Sequence, residues 1–173
     1  MTKLPVITLA VLALAGAATA QTAPFNGANL PVAGPRAKGP ALGPAVSAAQ
    51  EAIAACKAQG YTVSALIVDS IGQPVVLLSG DGATFRTQYV AGSKAAAVIK
   101  YKVASGVLVE RAKTDAKLDA ELKANPAIGA GRQGGVPIMS GADLIGAFAI
   151  SGAPGGDKDE ACAMAALAKH PLK

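Results

Sequence analysis

The chain has 173 residues, 16 of them basic and 11 acidic, giving a net charge of +5 at neutral pH. The charge is mild and spread out, with no basic cluster interleaved with aromatics, which argues against a nucleic-acid partner. Aromatics make up 3% of the sequence and tryptophan is absent, so the core must come from Val, Ile, Leu and Ala, in a length that suits one domain.

Lys3 is followed by an apolar run from Leu4 to Ala18, and Ala18 and Ala20 place small residues before a cut at Gln21. Charged, apolar and small, in that order, is the pattern of a secretory signal peptide, expected over residues 1–20. The run is shorter than the ~20 residues of a membrane span, so no stable membrane anchor is expected. The mature protein should be periplasmic or secreted. Residues 21–43 hold Pro24, Pro31, Pro35 and Pro40 with four glycines and no periodicity, and read as a mobile linker.

The folded domain is expected over residues 44–173. Pro44 suits a first helical turn. Ala45, Ala48, Ala49, Ala52, Ile53 and Cys56 then form one apolar stripe, with Gly60 as a stop. Val63–Val68 and Val75–Leu78 read as a hairpin whose turn chemistry lies in Asp69, Gly72 and Pro74. A helix is expected from Thr84 to Val103, with Tyr89, Ala96 and Ile99 on its buried side, broken at Ser105-Gly106. A charged helix follows over Val107–Ala124, stopped by Asn125-Pro126. Ala127–Gly135 is a glycine-rich loop. Val136–Met139 and Leu144–Ile150 make a second hairpin. A last helix spans Asp157–Ala168, with Asp157, Asp159 and Glu160 favourably placed in its first turn. This order indicates an α+β fold, an antiparallel sheet with helices packed on it.

Few side chains carry chemistry. Cys56 and Cys162 sit on the first and last predicted helices, and in an exported protein they either pair or remain two buried thiols. His170, the only histidine, lies at a helix end where the dipole accounts for it. No Ser/His/Asp arrangement and no Cys-x-x-Cys-His occurs, so no catalytic residue is assigned and covalent haem attachment is excluded. Gly129 to Gly135 has dinucleotide-like glycine spacing but precedes a strand, so the fingerprint fails on context. A loop bringing Arg132 and the amides of Gly134 and Gly135 toward an anionic ligand is the better reading. The Gly152–Gly156 stretch reads as self-capping by the acids that follow it. Lys94, in an otherwise apolar helix segment, must pair with an acid such as Asp81 or Asp159, or with a ligand carboxylate.

The run from Tyr61 to Ala83, Lys94-Ala95, the stretch Gly134 to Ile138, Ser151-Gly152-Ala153 and Asp159-Glu160 together resemble the GlcG/HbpS-type haem-binding family, which includes the C-terminal domain of PduO-type proteins. The resemblance spans Pro44 to Lys169. It implies a profilin-like antiparallel sheet of about five strands with helices packed on it, symmetric homo-oligomers, and haem as cofactor. It places a hydroxyl iron ligand at Ser105, with Tyr101, and after it Tyr89 or Met139, as alternatives. Ala97 stands where the family commonly carries a threonine. Two functional readings follow. One is an exported haem-binding protein, scavenger or sensor-type accessory, with a groove lined by Lys94, Tyr101 and Ser105. The other is a periplasmic accessory enzyme or binding protein for a small hydroxy- or oxo-acid, or a corrinoid, with Lys94 holding the carboxylate.

Overall fold

In the computed structural model, residues 37–173 are described; the expected signal peptide and most of the linker lie outside them. The elements run α1 (Leu42–Lys57), β1 (Ser64–Asp69), β2 (Pro74–Ser79), α2 (Phe85–Tyr101), α3 (Ser105–Ala112), α4 (Ala116–Ala124), β3 (Gly135–Ser140), β4 (Asp143–Ser151) and α5 (Gly156–Lys169). The strands form one antiparallel sheet in the order β2-β1-β4-β3. The α+β class is as expected, but the described residues hold four strands where about five were expected.

The central strands β1 and β4 are covered on both faces, which is why they read as continuous apolar runs. On one face Ala65, Ile67, Phe148 and Ile150 meet α1 and α5. There the alanine stripe of α1 is fully buried, and small side chains let helix and sheet approach closely. On the other face Leu66, Val68, Ala147 and Ala149 meet Ala91, Ala95 and Val98 of α2. A third cluster of Ala97, Leu108, Leu122 and Ile128 seats α3 and α4. Complete burial of a side chain such as Phe148 contributes about 1.5–3 kcal/mol.

Cys56 and Cys162 form a disulfide with Cα atoms 5.6 Å apart, fastening α1 to α5. The β1–β2 turn is organised by Asp69, whose Oδ1 accepts from the amides of Ile71 and Gln73 at 3.0 and 2.9 Å.

Two expectations need correction. The single charged helix over Val107–Ala124 is two helices, because Asp115 accepts from the amides of Lys117 and Leu118 and so caps a new start. The described end of the linker is docked: the Lys38 carbonyl accepts from the Ser70 amide at 2.8 Å, Lys38 Nζ meets Asp143 at 2.6 Å, and Pro40 is buried. Helix α1 correspondingly starts at Leu42, before Pro44.

Candidate functional site

Lys94 sits on the buried side of α2, among the alanines that lie against β1 and β4. Small neighbours leave room for its stem, and its ammonium donates to Asp159 Oδ2 at 2.5 Å and to the Ile150 carbonyl at 2.7 Å. The second carboxylate oxygen of Asp159 accepts from the Ala153 amide at 2.9 Å. One buried ion pair thus ties α2, the end of β4, the loop after it and the first turn of α5. Burial pulls the Lys94 amine below its usual value, with Asp159 opposing, and pushes the Asp159 carboxyl up, with Lys94 opposing. Asp81, the other acid considered for Lys94, lies instead 3.7 Å from Lys57.

Gly134 and Gly135 pack directly on this pair. Gly134 has φ +117°, and a Cβ on Gly135 would stand 2.9 Å from the Lys94 carbonyl oxygen, so neither position has room for a side chain. The loop leading into them is held from two sides. Ser93 donates to the Ile128 carbonyl at 2.5 Å, and Ser105 Oγ accepts from the Gly135 amide at 2.9 Å. This arrangement fixes where Arg132 leaves the loop.

Over the ion pair opens a cleft of about 740 Å³. Arg86, Thr87, Val90 and Lys94 of α2 line it, together with Arg132 and Gln133 and the Ser151–Asp157 stretch. Arg86 and Arg132 are exposed, and among the described residues neither belongs to an ion pair. The buried oxygen Glu160 Oε2 has no hydrogen-bond partner among the described residues and lies where a Cβ on Gly106 would be 2.9 Å away.

The structure brings Lys94, Arg132, Gly134 and Gly135 together; Ser105 bonds Gly135 but does not line the cleft, and neither does Tyr101. Helix α2 ends at Tyr101, and Lys102 turns left-handed at φ 57°. The chain therefore does not carry the Lys94 face on to Ser105, which is 1% exposed and committed to Gly135. The Tyr101 hydroxyl donates to Glu121 Oε1 at 2.8 Å, and Lys100 donates to the same oxygen at 2.9 Å. Desolvation and that carboxylate raise the Tyr101 pKa, which disfavours a phenolate ligand. Tyr89, expected on the buried side of α2, is exposed, as is Met139, and neither lines the cleft. His170 caps the far end of α5. The sequence reading missed Arg86, Thr87 and Gln133. The four-residue spacing of Arg86, Val90 and Lys94 was the signal available, since it sets them on one face of the helix.

A four-stranded antiparallel sheet with helices on both faces, and a cleft floored by a lysine–aspartate pair, defines a profilin-like α+β domain. The chain belongs to the HbpS-like family: the model described as haem degrading protein HbpS-like matches residues 42–168. A double mutant of Streptomyces reticuli HbpS is 29% identical, with TM-score 0.69 and coverage of 82% of this chain and 97% of that one. The PduOC–haem complex, 21% identical over 78% of this chain and 97% of that one with TM-score 0.71, is similar in fold. So is the Klebsiella pneumoniae protein ORFY, 19% identical over 81% and 96% of the two chains, TM-score 0.69. No curated protein matches the chain.

Proposed function

We propose that this chain is an exported haem-binding protein, a scavenger or sensor-type accessory, with haem seated in the cleft beside Arg132. The observation that carries the reading is HbpS-like family membership over residues 42–168, joined to a cleft flanked by two arginines that belong to no ion pair among the described residues. Haem is an apolar disc with two carboxylates on one edge. Arg86 and Arg132 supply matching guanidiniums, and Val90, Val109, Ala153 and Pro154 supply apolar wall. The cleft's ~740 Å³ lies within the ~300–1,000 Å³ usual for small-molecule sites. When bound, haem supplies a redox-active iron. The chain's own part is to hold the carboxylates, to position the wall loop through Asp159, and to shield one face of the disc from water.

Export rests on residues 1–20, read as a signal peptide. Self-association belongs to the same reading, supported by the exposed apolar side chains Ile71, Leu77, Phe85 and Tyr89. The test is a haemin titration followed by absorbance, with albumin as a nonspecific control and light scattering for mass. Saturable, stoichiometric binding supports the reading; an albumin-like, nonsaturating response removes it.

A small hydroxy- or oxo-acid is the second reading, favoured by the glycine-rich wall from Gly152 to Gly156 at the start of α5. Because Lys94 is committed to Asp159, Arg132 would hold the carboxylate. Thermal stabilisation by millimolar carboxylic acids that persists in Arg132→Gln would rule out that assignment.

A further inference from the structure

Resting on the haem reading, we propose that the cleft recognises a porphyrin through its carboxylates and not through its iron, so that it takes a porphyrin dicarboxylate with or without the metal. Among the described residues lining the cleft there is no imidazole, thiolate, thioether or phenol. Those are the groups that hold haem iron strongly. The oxygens of Thr87, Asp159 and Asp157 are poorly placed to replace them. The Thr87 hydroxyl donates to the Thr84 carbonyl at 2.7 Å and meets Ser64 Oγ at 2.7 Å. Asp159 is held by Lys94 and the Ala153 amide. Asp157 stands in the first turn of α5, where the helix dipole already favours its charge. The single histidine caps the opposite end of that helix, which at 1.5 Å per residue is about 20 Å from the cleft wall.

Against this stand two guanidiniums, from α2 and from the loop before β3, opening on the same cleft. A guanidinium meets a carboxylate in bidentate fashion, and such charge-assisted contacts are the strong ones available here. The floor adds no competing net charge, because Lys94 and Asp159 offset each other. Affinity is therefore assigned to the carboxylate edge and the apolar face of the macrocycle.

The experiment compares haemin, iron-free protoporphyrin IX and protoporphyrin IX dimethyl ester on the parent protein and on Arg86→Gln and Arg132→Gln. Haemin is followed by its Soret band and the two metal-free porphyrins by emission anisotropy; both arginines are exposed, and circular dichroism checks that the variants fold. The expected result is that protoporphyrin binds within about threefold of haemin. The ester, and either variant with the diacid, should bind about tenfold more weakly. Haemin binding without protoporphyrin binding, or an ester as tight as the diacid, would overturn this inference and leave the haem reading standing. Failure of haemin and protoporphyrin alike would remove the haem reading, and this inference with it.

Discussion

Gly134 lies so close over Lys94 that a Cβ on the glycine would stand 2.7 Å from the ammonium nitrogen and 2.8 Å from Cβ of Asp159. The same residue has a positive φ of 117° and, through its carbonyl, accepts from the Ile150 amide at 2.9 Å. Gly134→Ala therefore meets overpacking and an unfavourable backbone together, at a cost of roughly 2–5 kcal/mol. Urea unfolding should show the midpoint falling at nearly constant m-value. A neutral result would mean that the loop can shift away from the ion pair.

The Lys94–Asp159 pair is buried, and burial moves each group toward its neutral form despite the partner. Removing one member strands the other, so Lys94→Met and Asp159→Leu should each cost about 3–5 kcal/mol. The double replacement should recover most of that loss, because no buried charge is left unpaired. A double-mutant cycle by chemical denaturation measures the coupling, and additive losses would show that the two charges do not depend on each other.

Joining Cys56 to Cys162 closes a loop spanning 106 residues of sequence. Cys56→Ala with Cys162→Ala should lower stability by about 2–5 kcal/mol, since long loops gain most from closure in the chain-entropy model. Both sulfurs are consumed in the bond, so the oxidised protein should give no free-thiol signal, native or unfolded. Labelling under denaturing, non-reducing conditions tests the bond, and two reactive thiols there would refute it.

Asp143 is held below the ordinary carboxylate range first by the hydrogen bond from Lys38 and then by that residue's charge. A carboxyl whose folded pKa is lowered contributes stability above its unfolded pKa and loses it as pH falls through the folded value. The Lys38–Asp143 contact should therefore persist at neutral pH and open in acid, below the usual aspartate range. Carbon-detected titration should give Asp143 a lower midpoint than a model aspartate, and Lys38→Met should return it upward. Both groups are exposed, so the effect on global stability is small.

Much of the fold could be read from periodicity. The alanine stripe of α1, the two hairpins and the acid-led start of α5 lie within one to three residues of their sequence positions. Asp69 was legible because its turn is a local device, complete within five residues. The bridge between Cys56 and Cys162 was only one of two readings, because nothing local brings the end of α1 beside the middle of α5. Lys94 signalled itself as a charge in an apolar segment, and Asp159 was one of two partners considered. Ser105 was carried over from the family resemblance by its distance from Lys94 along the chain, whereas a left-handed Lys102 turns the chain and Ser105 is buried against the Gly135 amide. Arg86 went unnoticed because an exposed arginine looks like any solvated charge until a cleft is placed beside it.

The sheet order has a consequence for how such a chain is made. Strand β1 lies near the start of the domain, yet one of its two neighbours is β4, the last of the four strands to be synthesised. Until β4 arrives, β1 has one open edge, and the helix that carries Asp159 does not yet exist. The domain cannot finish folding until β4 and α5 have both been made. Pairing of distant segments is slow, which keeps the unfinished chain loose for longer. Truncation before α5 leaves Lys94 with no acidic partner and Cys56 with nothing to join.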